Sequence, residues 1–590
     1  MSFQFSRRQF VTGIAAGTVV TGLGSSSLLR ASTGSIAPGY PPTLQGTQFN
    51  LEIGEKPVNF TGHARSATVV NGSLPAPILR FREGDTVTLR VRNTLKHASA
   101  IHWHGVLLPA AMDGVPGLSF HGIESGGSYL YQFEVKQQGT YWYHAHAHFQ
   151  EQTGLYGPLL IDPRESEPFA YERDYVVMLS DWSDMAPERI FSVLKKQSDY
   201  FNLNQRTLAD FTRDVGEQGL KAALADRRMW GEMRMKPTDI SDVTGHTYTY
   251  LMNGNAPDTN WTGLFKRGDR IRLRFINGSA MSYFDVRIPG LKMTVVAADG
   301  QYVHPVTVDE FRIATAETLD VIVTPQADEA YTIFAQSMDR SGFARGTLAP
   351  RVGMQAAVPP LDRRPLLTMA DMGMAGMSGG DHGSTAVMDH ASMPDMDHSS
   401  MATSSSMVEH PATERDNPGV DMQTMSPSPR LDDPGIGLRD AQLQKLRAGY
   451  TAEHEVLALS DLRSLFSDPD GRDPGRTVEL HLTGHMERYI FSFDGVKFSD
   501  AKPLEFKYGE RLRIVLVNDT MMEHPIHLHG MWSDVEDEEG KFQVRKHTVT
   551  IPAGTKRSYR VTADALGRWA YHCHLLYHME AGMFREVRVS

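Results

Sequence analysis

The chain has 590 residues, 41% hydrophobic and 22% charged, with one cysteine, 29 methionines and 24 histidines. That length exceeds one ordinary core and suggests about three to four domains. The formal net charge of −11 argues against nucleic acid or an anionic membrane as a partner, because both require a basic face.

In chain order, Ser6-Arg7-Arg8-Gln9-Phe10 is a twin-arginine signature ahead of a glycine-diluted apolar stretch, residues 13–29. Residues 1–31 therefore read as an export signal with the periplasm as destination; the other reading is a disordered basic tail. No segment has the roughly 18 consecutive apolar residues of a membrane span, so no stable membrane insertion is expected. A single cysteine in an exported protein forms no internal disulfide. Cys573 stands between His572 and His574, which suits a ligand better than a packed thiol.

An internal repeat, Phe-x-x-Gly-acid followed by alternating apolar residues and an Asn, occupies residues 81–93, 265–277 and 506–518. The Gly-acid pair reads as a turn and the alternation as a half-buried strand. Short strands with Gly, Pro and Asn between them predict an all-β chain of three β-sandwich domains, at 45–165, 166–350 and 440–590. A helical pattern over 183–235 reads as an embellishment of the second domain. Residues 366–430 are rich in Met, Ser, Gly, Asp, Pro and His, and read as a disordered insert. Residues 441–447 read as a short helix and 534–541 as a solvated loop.

Four clusters carry the chemistry: His102/His104, His144/His146, His524/His527/His529, and His572-Cys573-His574 with His578 and Met583. On a strand, residues two apart share a face, so each His-x-His presents two imidazoles together. Imidazole suits copper, and a thiolate with two imidazoles and a weak thioether is the blue-copper set. The repeats sharpen this. His102 and His104 follow Asn93 by nine and eleven residues, and His527 and His529 follow Asn518 by the same offsets. The middle repeat has Val286 and Ile288 there, and Phe334 and Gln336 where the other two have His144/His146 and His572/His574. The first and third domains thus share a metal site, with the second as a spacer. His524, Cys573, His578 and Met583 have no such counterparts; the first domain has Ser99, Ala145, Gln150 and Leu155 instead. Those four unshared residues form one complete blue site.

With these motifs, and the runs 141–158, 518–532 and 567–589, the chain resembles the multicopper oxidases, close to the bacterial copper-resistance oxidases of the CopA/PcoA type. The resemblance implies cupredoxin-like folds for the three sandwiches and four copper ions. His524, Cys573, His578 and Met583 would hold type 1 copper. His102 and His527 would hold type 2 copper. His104, His144, His146, His529, His572 and His574 would hold the type 3 pair. It also implies one-electron oxidation of a reductant coupled to four-electron reduction of dioxygen to water. Asp113 matches an acid that resembling oxidases place beside the cluster, and is a proton-relay candidate; locally, Asp113-Gly114 also reads as a plain turn. A second acid is expected directly after His578. That position is Met579, with Glu580 one later, so Glu580 is the candidate second acid.

In the insert, Met388-x-His390-x-x-Met393 recurs as Met396-x-His398-x-x-Met401. Thioethers are soft ligands that prefer Cu(I), so these six residues are candidate Cu(I) ligands; a solubilising linker is the other reading. The functional expectation is a periplasmic oxidase of Cu(I), and of phenols in a laccase-like reading, serving copper resistance alongside other periplasmic copper-resistance proteins. The alternative is a copper-sequestering protein whose oxidase activity is incidental.

Overall fold

The computed structural model describes residues 40–233, 235–373, 408, 409, 424, 427–439 and 454–590. The signal segment, the six candidate Cu(I) ligands of the insert and the helix expected at 441–447 lie outside the described residues.

Six sheets follow one another in three sequential pairs. Strands of the first pair run between Thr43 and Asp162, those of the second between Arg173 and Ala349, and those of the third from Val408–Glu409 to Phe584–Val589. The repeat segments hold equivalent places. Thr86–Asn93, Ile271–Asn277 and Arg511–Asn518 each run parallel to an earlier strand and antiparallel to a later one. The chain has the same reason to turn at each start: Gly84, Gly268 and Gly509 have φ of 87°, 85° and 81°, a region that costs glycine nothing.

The repeat Asn has a common task. Asn93, Asn277 and Asn518 are all fully buried. Each side-chain amide donates to two backbone carbonyls, and its oxygen accepts the N–H two residues on. One residue thereby satisfies three backbone groups where the strand leaves its sheet, so none is left orphaned in the core.

The 183–235 pattern forms three helices, Pro187–Leu194, Leu208–Gln218 and Leu220–Glu232. The ordered chain extends further into the insert than composition predicts. Leu367 and Met372 are buried, and Asp371 pairs with Arg439 at 2.6 Å. These two apolar side chains give residues 366–373 buried surface that composition did not suggest. Of the loop expected at 534–541, residues 537–541 are a solvated turn, while 534–536 belong to the strand Ser533–Glu536, which pairs with Phe542–Lys546 in a hairpin. Asp534 is buried there because Arg511 and Arg545 neutralise it. No helix among the described residues is long and apolar enough to cross a membrane.

Candidate metal centre

Two strand pairs build the first half of the site. His102–His104 pairs antiparallel with Gly139–His144, with His102 opposite His144. His524–Leu528 pairs with Gly567–Cys573, with His527 opposite His572. The pairs belong to the first and last sandwiches, and their imidazoles interleave. His104 stacks on His527 with ring centroids 3.8 Å apart, and His102 stacks on His529 at 4.0 Å. His146 Nε2 lies 3.4 Å from His572 Nε2. All eight shared histidines meet here.

The outer ring nitrogens settle which atoms face inward. His102 Nδ1 donates to the Asp113 carbonyl (2.7 Å), His527 Nδ1 to the His547 carbonyl (2.6 Å) and His572 Nδ1 to the Cys573 carbonyl (2.9 Å). A carbonyl only accepts, so each of these nitrogens carries the proton and leaves Nε2 bare. His529 Nδ1 donates to Asp113 Oδ2 at 2.9 Å. The bare Nε2 atoms of His529 and His572 then face each other at 3.0 Å. Two lone pairs at that distance repel unless a cation lies between their directions. His102 Nε2, His104 Nδ1, His144 Nε2, His527 Nε2 and both nitrogens of His574 are buried without a hydrogen-bond partner. Burial pushes His104, His144, His146, His527, His529 and His574 well below the usual imidazole range, and His572 to about 4. Neutral rings with inward lone pairs are what a metal needs.

The second half is smaller. Cys573 Sγ lies 3.5 Å from His524 Nδ1 and 3.9 Å from His578 Nδ1, and the two Nδ1 atoms are 3.1 Å apart. Their far nitrogens are engaged: His524 Nε2 by Thr520 Oγ1 (2.7 Å), His578 Nε2 by Asp242 Oδ2 (2.7 Å). Met583 is fully buried, and its carbonyl accepts the Cys573 N–H at 3.1 Å. Burial pushes the thiol pKa upward; a soft cation would restore the thiolate. In the first sandwich the equivalent place is sealed. Ser99 Oγ donates to Gln150 Oε1 at 2.6 Å, and Ala145 and Leu155 are buried beside them. A thiolate, a thioether and inward imidazoles fit copper in both halves.

Asp113 lies against His529, and only 1% of its surface is exposed. The turn reading also has substance: Gly114 has φ 80°, and a Cβ there would come within 1.9 Å of the Ile101 carbonyl oxygen. Glu580 is left out of the site. It ends the helix Leu576–Glu580, whose buried residues are Leu576, Tyr577 and His578, and its own side chain is exposed. With about 100° between successive helical residues, facing His578 inward turns Glu580 outward.

A different carboxyl is in contact with the cluster. Glu151 Oε2 lies 2.6 Å from His144 Nδ1, with both side chains at most 4% exposed. Burial, with Asp181 nearby, pushes its carboxyl well above the usual range, while burial pushes His144 down. The pair holds one proton between those two atoms. The repeat contained the signal: counting on from Ala145 and Cys573, Glu151 stands where Met579 does.

The middle sandwich is more than a spacer. Asp242 accepts from His578 and from the Tyr489 hydroxyl (3.0 Å). Asp299 Oδ2 accepts the backbone N–H groups of His547 and Thr548, each at 3.1 Å. His547 itself lies with Nδ1 3.2 Å from His104 Nε2. No sequence motif marked Asp242, Asp299 or His547, because each acts from a separate loop or strand.

Models of the multicopper oxidase family match residues 52–166, 173–351 and 471–590. Together with the relatives below, they show that this chain belongs to the multicopper oxidases, copper-dependent oxidases. It is similar over its whole length to two copper resistance proteins. One is a copper resistance protein A homolog of Pseudomonas syringae pv. tomato, 64% identical over 100% of both chains. The other is copper resistance protein A of Escherichia coli, 62% identical with the same coverage. A solved laccase from Botrytis aclada shares the fold, with a TM-score of 0.60 at 19% identity, over 96% of this chain and 93% of that one.

Proposed function

We propose that the chain is a periplasmic, twin-arginine-exported copper-resistance oxidase that couples oxidation of Cu(I) to reduction of dioxygen to water. In this reading His524, Cys573, His578 and Met583 hold one type 1 copper. His102 and His527 hold type 2 copper. His104, His144 and His574 hold one type 3 copper, and His146, His529 and His572 the other. When bound, copper supplies the one-electron steps that link a reductant to dioxygen. The proposed domains are the three sandwiches at 45–165, 166–350 and 440–590, with copper ligands on the first and third only.

One observation carries this reading. Cys573 faces His524 and His578, while its covalent neighbour His572 faces His146 and His529. The two donor sets are thus joined through a peptide bond, which suits electron transfer between them and has no use in a sequestering protein. Asp113 and Glu151 each hold a proton at a ligand imidazole on the buried side. Cu(I) as substrate is supported by the names of the relatives and by the Met-His repeats of the insert. Steady-state kinetics of the copper-loaded protein, with Cu(I) and a phenol in parallel, tests it. Preference for Cu(I) is expected; preference for the phenol by orders of magnitude would defeat the cuprous reading. Absence of oxygen consumption with either would defeat the oxidase itself.

A further inference from the structure

The middle sandwich, the segment around Asp433 and Leu459, and the C-terminal sandwich line a partly open cleft of about 90 Å³. One water requires only ~10–15 Å³. The wall includes three cations, Arg312, Lys546 and Arg557, and three carboxylates, Glu317, Asp433 and Glu523. The carboxylates are already engaged. Lys546 Nζ lies 3.2 Å from Glu317, Arg312 Nη1 3.2 Å from Glu523, and Arg439 Nη2 2.7 Å from Asp433.

Arg557 is left over. It lies on the strand Lys556–Thr562 and is only 7% exposed. Its Nε is buried without any hydrogen-bond partner, and no carboxylate among the described residues lies within the 4.0 Å of an ion pair. Every other buried arginine among the described residues has a carboxylate or carbonyl partner; Arg272, Arg511 and Arg585 are examples. Burial lowers the Arg557 pKa to about 10, so the group stays charged at neutral pH. A buried, unpaired guanidinium is costly. This one borders a space large enough for a polyatomic guest. Its planar fork matches two oxygens of one anion, a geometry an ammonium lacks.

We propose that this cleft binds a small oxyanion, of carboxylate or phosphate chemistry, on the Arg557 guanidinium. The site is separate from the copper donors and independent of the reductant. Calorimetric titration of the full copper-loaded chain tests it, with inorganic phosphate and with acetate as separate probes at constant ionic strength set by chloride. Saturable binding of at least one probe, one per chain, is expected. R557M should abolish it, and R557K should weaken it about tenfold by keeping the charge without the fork. R557M removes an unpaired buried charge of similar length, so it should melt no lower than the wild type. If it fails to fold, R557K supports the comparison. Absence of saturable heat for either probe in the wild type would overturn the proposal, as would binding unchanged in the folded Arg557 variants.

Discussion

Replacing Glu151 by Ala isolates one contact of the cluster. The wild-type contact is a 2.6 Å bond between His144 Nδ1 and a carboxyl buried with it. Hydrogen bonds to charged groups contribute about 1.5–3 kcal/mol. The same nitrogen has a poorer acceptor in the Ala145 carbonyl at 3.1 Å, which would recover about 1 kcal/mol. The net loss is about 1.5 kcal/mol, or roughly tenfold in affinity at 1.4 kcal/mol per decade. That agrees with the ~10- to 100-fold cost typical of removing a partner behind a metal-bound histidine. The assay is copper per chain after equilibration with a graded chelator. E151A should release part of its copper at about tenfold lower chelator, with blue absorption unchanged, because Cys573, His524 and His578 keep their partners. E151Q, whose amide oxygen can accept the same bond, should lie between. A release curve for E151A that superimposes on the wild type would refute the orienting role of Glu151.

Cys573→Ser should abolish blue absorption and turnover while leaving a type 2 electron spin resonance signal; retained blue colour would show the thiolate lies elsewhere. Asn277→Ala removes three buried hydrogen bonds in the middle sandwich, which holds none of the clustered histidines. At about 1 kcal/mol each it should destabilise the chain by about 3 kcal/mol in chemical denaturation, with copper content of the folded fraction intact. His481→Gln should make stability less pH-dependent. Burial opposes the charged ring, but the 2.6 Å contact with Asp519 prevails and raises its pKa. A raised histidine stabilises the fold below the unfolded value near 6.5, and that contribution fades as pH rises through the folded value. The melting-temperature gap between wild type and H481Q should therefore be largest near pH 5–6 and shrink in mildly alkaline buffer; a gap that widens with pH would contradict this pairing.

Much of the candidate metal centre was legible because its donor residues are local in sequence. His-x-His on a strand and His-Cys-His beside a tyrosine are spacings within a few residues, and the internal repeat shows which are shared. The strand period of two alone places each pair on one face. The repeat Asn and the Gly-acid turn were legible for the same reason, since each acts on backbone within its own strand end. Glu580 shows the limit: its place next to Met579 suggested a role that the helical rotation from His578 denies.

What the sequence alone determined is therefore the β-sandwich class and which histidine, cysteine and methionine residues are candidate donors, in a shared and an unshared group. Tertiary structure decided which groups stand behind the donors. Glu151 reaches His144 from a loop, Asp242 reaches His578 from the middle sandwich, and Asp299 holds the backbone behind His547. Arg557 became conspicuous only once every other buried arginine had its partner. Glu151 is only seven residues from His144 and depends on how the loop folds back, whereas the Asp242 and Asp299 contacts join residues hundreds of positions apart. No local period encodes them, because they depend on how three separately patterned sandwiches pack against one another.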